Sequence, residues 1–279
     1  MTAPILTDTI ALTRNRARAL ALPAPALFLH EDMRDEVQER LAEVNRSFTK
    51  VAIVTGFPDL WRESFPDALI VADTDVLALA SEAHDLVIHA MALHWANDPV
   101  GQLIQCKRAL RPDGLFLGCL LGGQTLHELR ACLAEAEAAV TGGLSPRVLP
   151  MAEIRDLGGL LQRAGFALPV ADSFTRTVHY RDLWHLMADL RAMGEANALD
   201  ARRRIPIRRA VFTDAAKRYT AGFGVAADRI KASFEMVFLT GWAPHDSQQK
   251  PLRPGSAAHR LADALKSPEI ILPQTKGET

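Results

Sequence analysis

The chain has 279 residues, 32 Lys and Arg against 33 Asp and Glu, 48% hydrophobic residues and 23% charged residues. That length holds one large α/β domain or two small ones, and the apolar fraction suits a packed core rather than a disordered or fibrous chain. A net charge of −1 offers no global attraction to nucleic acid or anionic lipid. The three cysteines, Cys106, Cys119 and Cys132, form no C-x-x-C pair, so neither a disulfide framework nor a cysteine zinc site is expected, and the setting is a reducing, cytoplasmic one.

At the front, Arg14, Arg16 and Arg18 precede the apolar run Ala19 to Leu29 and imitate an export signal. Pro23 and Pro25 interrupt the run and no small-residue cleavage site follows, so it is not read as one. No stretch approaches the ~20 apolar residues of a membrane span. Met33, Val37, Leu41, Val44 and Phe48 recur at helical spacing, with Glu31, Asp32, Asp35 and Glu36 early in the run, and residues 1–49 read as an N-terminal helical segment.

From Lys50 the period turns extended. Val51 to Val54, Asp67 to Ala72, Asp85 to Ala90 and Leu115 to Leu121 are short apolar runs that read as strands. Between the last two, Asp98 to Leu110 is helical and ends at the turn Arg111-Pro112-Asp113-Gly114. Apolar strands separated by helices predict a mostly parallel sheet covered on both faces. Helices follow at Thr125 to Val140 and Met151 to Ala164, then an extended stretch from Leu168 to His179. A helical insert (181–228) precedes a last strand at Ile230 to Trp242, closing a domain over 50–242. Residues 243–279, with Pro244, Pro251, Pro254 and Gly255, read as an extended tail with one short helix at Ala257 to Leu265.

Ligands of such a sheet bind outside the carboxyl ends of its strands. Those ends supply the candidate cofactor-binding residues Gly56, Asp73, His89 and Trp95. Gly56 lets backbone approach a ligand, and an acid such as Asp73 accepts from ribose hydroxyls or an adenine amine. The blander readings are a turn glycine, a helix N-cap, a packed histidine and a core aromatic. His89 and His94 are not at metal-ligand spacing, no two-His-one-carboxylate triad can be read, and no metal is assigned. Gly122-Gly123, opening a helix with Glu128 and Arg130, is placed at the cleft. Arg202, Arg203, Arg204, Arg208 and Arg209 form the one strong charge cluster, either a solvated face or a docking site for an acidic partner.

Several motifs carry a resemblance. Leu93-His94-Trp95-Ala96-Asn97-Asp98, the stretch Arg108 to Phe116, and Gly122 to Arg130 resemble a class I S-adenosylmethionine (SAM) methyltransferase. More closely, they resemble the branch of complex I assembly factor 5 and its proteobacterial relatives. Gly142 to Val148, Arg155 to Gly158, Arg163 to Phe166, Met187 to Asn197 and Gly241 to Gln249 resemble that branch too, so the likeness runs from about Val87 to Ala258. The methyltransferase of biotin synthesis shares a shorter part.

The front departs from the pattern. Where the family has D/E-x-G-x-G-x-G, this chain reads Val54-Thr55-Gly56-Phe57-Pro58-Asp59, with one Gly, no preceding acid, and Pro58 lacking an N–H. The 29 residues from Gly56 to Asp85 are too few for two βα units, so one unit is missing. If Asp67 to Ala72 is the second strand, Asp73 is the family's ribose acid; the spacing favours the third, which leaves the ribose acid absent.

The resemblance implies a Rossmann-like α/β fold, shortened in its cofactor half, with a helical insert before the last strand. It implies a maturation factor for respiratory complex I, acting on or binding a peripheral-arm protein subunit, with no nucleic acid partner, and working at the inner face of the membrane. SAM is the implied cofactor, and the degraded loop predicts weak or lost binding. Eukaryotic members of the branch are linked with arginine hydroxylation. Two other readings stand beside this one: a working SAM-dependent methyltransferase on a protein or carrier-bound acid, and a non-catalytic binding module.

Overall fold

The apolar runs become the strands of one sheet. In the computed structural model, which describes residues 5–249 together with 263 and 266, the chain divides at His245. The first unit holds every strand found among the described residues. The second, Asp246–Thr279, includes the region of the expected Ala257 to Leu265 helix, which lies outside the described residues apart from Asp263.

Strands β1 (Val51–Thr55), β2 (Leu69–Val71), β3 (His84–Ala90), β4 (Leu110–Leu121), β5 (Ala167–Tyr180), β6 (Gly224–Val225) and β7 (Arg229–Trp242) stand in the order β2-β1-β3-β4-β7-β5, with β6 on β7. Parallel pairing joins β2, β1, β3 and β4, while β7 runs antiparallel between β4 and β5. Alternation sorts side chains onto two faces. Ala52, Val54, Val87 and Phe116 meet Leu103 and Cys106 of α4 (Pro99–Ala109) and Leu157 and Leu161 of α6 (Ile154–Arg163). Ile53, Leu86, Ile88 and Leu117 meet Met33 and Val37 of α2 (Phe28–Glu43) and Trp61 of α3 (Pro58–Arg62).

The insert builds its own core. Leu183, Leu186 and Leu190 of α7 (Leu183–Ala192) and Val211, Ala215 and Tyr219 of α8 (Arg209–Phe223) pack on Leu129, Leu133 and Ala136 of α5 (His127–Thr141). Between α7 and α8 the chain is irregular, because Gly194 at φ +85° and Pro206 do not continue a helix.

Three expectations change. The second strand, β2, is hydrogen-bonded directly to β1, with Val54 opposite Val71. In the doubly wound order 3-2-1-4-5-6 that is the place of strand 2, so the third-strand reading is wrong. The missing unit is the outermost one: among the described residues nothing flanks β2, and the chain crosses to β3 through a helix-free stretch over 72–83. Spacing misled because this crossing is too short to contain its own helix. The second change is an added helix, α1 (Thr9–Leu20), capped by the Asp8 side chain accepting from the Ala11 N–H at 3.0 Å. Its arginines, in the run that imitates an export signal without being read as one, belong to this helix. Third, α2 ends at Glu43, so Val44 and Phe48 lie beyond it.

Candidate functional site

The sheet's topological switch lies between β1 and β3, and two hollows open near the carboxyl ends of its strands. The first sits over β1 and β2. Here α1 lays Arg16 across Gly56, so that a Cβ at Gly56 would run into the guanidinium. Arg16 Nη1 donates to both carboxylate oxygens of Asp73 at 2.8 Å, and both side chains are about nine-tenths buried. The Arg16 guanidinium also stands 5.8 Å from the centre of the Phe57 ring. A groove of about 580 Å³ persists between α1 and the ends of β1 and β2, but one of its walls is Arg16 rather than bare backbone.

With α1 seated, Asp73 is spent on Arg16, the backbone of Gly56 is covered, and Pro58 offers no N–H to a ligand. Gly56 and Asp73 are thus brought together at one hollow, joined there by a side chain of the same protein.

Behind Arg16 lies a buried polar cluster drawn from four parts of the chain. The Glu195 Oε2 accepts from Trp95 Nε1 at 2.7 Å and stands 3.4 Å from His94 Nε2. Its Oε1 lies 3.8 Å from His30 Nε2 and has no hydrogen bond. Gly194 permits this approach: it has φ +85°, and a Cβ there would press on Phe57 at 3.1 Å and Arg16 at 3.3 Å. Burial alone would raise the Glu195 carboxyl, but His94, His30 and Arg16 outweigh it and hold the acid at about 2. Burial drops His30 to about 4, so at neutral pH it meets Glu195 as an uncharged ring. Two histidines and a carboxylate thus converge, although no group of three His, Cys, Asp or Glu among the described residues is placed to hold a metal ion.

His89 faces elsewhere. Fully buried at the end of β3, it pairs with Gln102 at 2.8 Å, and Gln102 in turn donates to the Thr74 carbonyl at 3.1 Å. Burial holds it near 4 as well. It clamps the 72–83 crossing to α4 through Gln102. Gly122 and Gly123 are no cleft either: their N–H groups donate to the carbonyls of Glu235 and Ala152, and Glu128 and Arg130 bond Ser233 and backbone carbonyls. Those groups are consumed in joining β4, α5 and β7.

The second hollow is a cavity of about 380 Å³ beyond β4, walled by Leu121, Leu129, Leu133, Met187, Met193, Phe212 and Phe234. Trp95 and Glu195 line it on one side, and Arg147, Arg191, Arg202 and Arg203 on others. Arg147 is paired with Glu137 at 2.7 Å and Arg202 with Asp8 at 2.7 Å. Arg203 is 3.9 Å from Glu137 and Arg204 is 3.1 Å from Asp200, while Arg208 and Arg209 are exposed at the start of α8. The five clustered arginines hence divide between structural pairs and open surface. Sequence reading missed Glu195, His30 and the role of Arg16, which lie on segments far apart in the chain.

Chain crossing, strand order and switch-point hollows define a Rossmann-like α/β fold of methyltransferase type. A family model for a methyltransferase domain matches residues 34–118. The chain belongs to the family of arginine-hydroxylase NDUFAF5: it is 34% identical over 235 residues to the mitochondrial protein of that name from Danio rerio, covering 84% of this chain and 73% of that one. It spans 61% of the human counterpart at 34% identity. A malonyl-[acyl-carrier protein] O-methyltransferase from Xylella fastidiosa is 35% identical over 64% of this chain and 58% of its own. Among solved structures, a putative methyltransferase from Bacillus halodurans aligns at TM-score 0.49 and 13% identity, over 75% of this chain and 98% of that one. Among the described residues no helix is long and apolar enough to cross a membrane.

Proposed function

We propose that this protein is a methyltransferase-fold maturation factor for respiratory complex I, engaging an arginine-bearing protein subunit of the peripheral arm, with its SAM site closed in cis. The family membership supports the activity class, since its relatives are named arginine-hydroxylases. The single observation that carries the loss of SAM binding is the Arg16 guanidinium lying over Gly56 and bonded to Asp73. Hydrogen bonds to charged groups contribute about 1.5–3 kcal/mol each, so loss of the ribose contact alone lowers affinity about tenfold or more. Gly56 and Asp73 are then remnants of a cofactor site, and Trp95 belongs to the substrate side.

Arg203, Arg208 and Arg209 are the members of the basic cluster least engaged in close ion pairs, whereas Arg202 and Arg204 hold the surrounding loop to Asp8. Deleting the gene in its host and measuring NADH oxidation by isolated membranes tests the reading. A loss of activity with unassembled peripheral arm is expected; full activity with a normally assembled complex would remove the link to complex I. SAM retained by the purified protein would favour the methyltransferase reading instead.

A further inference from the structure

The sheet ends in two edge strands of very different length. β2 is three residues long, which leaves little backbone for another strand to pair with. β5 is 14 residues long, stands last in the strand order, and among the described residues nothing pairs with its outer side. Features that blunt an edge occur only at its start, where Pro169 and the register shift between Ala167 and Val170 interrupt the ladder. From Val170 to Tyr180 the pairing with β7 is regular, so the outward N–H and C=O groups of β5 form an even template.

The middle of this edge is bare as well. Ser173, Phe174, Thr175, Arg176 and Thr177 are all exposed, and alternation places them on both faces of the sheet. Phe174 remains 39% exposed although its ring stacks on Phe238 at 6.0 Å. A long, regular and uncovered edge of this kind takes up an added strand.

The residues of the edge select which strand that is. Antiparallel pairing of β5 with another β5 about Phe174 sets Asp172 opposite Arg176, Val170 opposite Val178, and Phe174 opposite itself. All of these lie on one face, where directly opposed side chains interact. Asp172 is held by Arg40 at 2.6 Å and Arg176 by Asp32 at 3.0 Å, yet the two side chains keep 42% and 52% exposure. Across the dyad the two ion pairs join into one row of alternating charge: Arg40, Asp172, then Arg176 and Asp32 of the second copy. A slip of two residues sets Asp172 against Phe174 or Val178 instead, and in-register parallel pairing sets like charges together.

We propose that β5 is a dimerisation edge, pairing antiparallel with β5 of a second copy about Phe174, so that the sheets of two molecules run on as one. The contact is isologous and closes on itself, which gives a dimer and no fibre. One strand pair is a small interface, so the dimer is concentration-dependent.

Sedimentation velocity of the full chain across the micromolar range is expected to show a monomer passing into a dimer. Arg176→Asp and Asp172→Arg each set like charges across the dyad, and each is expected to weaken dimerisation at least about tenfold with an unchanged circular dichroism spectrum. Mixed in equal amounts, the two variants are expected to pair with one another at near wild-type strength, because each supplies the charge the other lacks. Phe174→Cys is expected to form a disulfide-linked dimer on mild oxidation, while Thr177→Cys, set opposite Ala171 of the second copy, is expected not to. The native cysteines are buried and do not compete. The crosslink depends on neither charge reversal, so it decides the matter even where a reversed chain does not fold. A wild-type monomer throughout with no crosslink from Phe174→Cys, a dimer indifferent to either reversal, or a mixture of folded variants that stays monomeric would each overturn the proposal.

Discussion

Two hollows at the carboxyl side of one sheet have been treated in opposite ways. Over β1 and β2, charge fills the space: Arg16 reaches across Gly56 to Asp73 and stands where backbone is otherwise bare. Beyond β4, space is kept: mostly apolar side chains wall about 380 Å³, with Trp95 and Glu195 along one side. The two share a partition, the cluster of Arg16, Phe57, Gly194 and Glu195, so a change that opens one is felt by the other. The difference teaches that one sheet edge can close one hollow with a buried ion pair and keep another open between apolar walls.

Titration of two buried histidines, His30 beside Glu195 and His89 beside Gln102, gives the largest expected effect. His30 and His89 bind protons near 6.5 when unfolded and only near 4 when folded, so the unfolded chain carries up to two more protons between those values. Stability is then lost as pH falls through that window, by about 2.7 kcal/mol per pH unit for the two together. Glu195 adds a further loss only below about 4.5, as its folded form resists protonation down to about 2. Urea midpoints at pH 7, 6 and 5 check this; a constant midpoint contradicts it.

Breaking the plug comes next. Arg16→Ala leaves Asp73 buried without its partner and is expected to cost about 3 kcal/mol, whereas Arg16→Met with Asp73→Leu restores most of that. A double-mutant cycle in urea reads the coupling, and additive effects would show that the pair does not hold the cleft closed. A smaller change presses on the partition itself. Gly194→Ala forces a side chain into positive φ against Phe57 and Arg16, at a cost of about 1–3 kcal/mol in thermal or urea unfolding. Smallest of all is the response of the thiols. Burial raises Cys119 to about 12 and Cys132 to about 11, and Cys106 higher still, so Ellman's reagent is expected to label none of the three in native protein at pH 7.

Much of the frame was readable from local pattern. The runs Val51 to Val54, Asp85 to Ala90 and Leu115 to Leu121 are continuous and apolar because both faces of a central strand are buried, and they became β1, β3 and the inner part of β4. The stretch Arg111 to Gly114, expected as a turn, falls inside β4 as an irregularity between the pairs His84 with Leu110 and Leu86 with Leu115. What escaped is what depends on distance. Arg16 and Asp73 are 57 residues apart, and no period or spacing announces their pairing. The helix α1 buries only Ala11, Leu12, Arg16 and Ala19, a thin stripe interrupted by a charge, which is why it resembled an export signal more than an amphipathic helix. Glu195 lay inside the Met187 to Asn197 stretch that carried the family resemblance, but nothing local marks it as the acid that meets His94 and Trp95, about 100 residues away.

The closure of the cofactor cleft is tested most directly by calorimetry of the purified full chain with SAM at neutral pH, wild type beside Arg16→Ala. The account predicts no saturable heat from wild type and weak, measurable binding once the guanidinium is removed. A micromolar dissociation constant for the wild-type protein would contradict it.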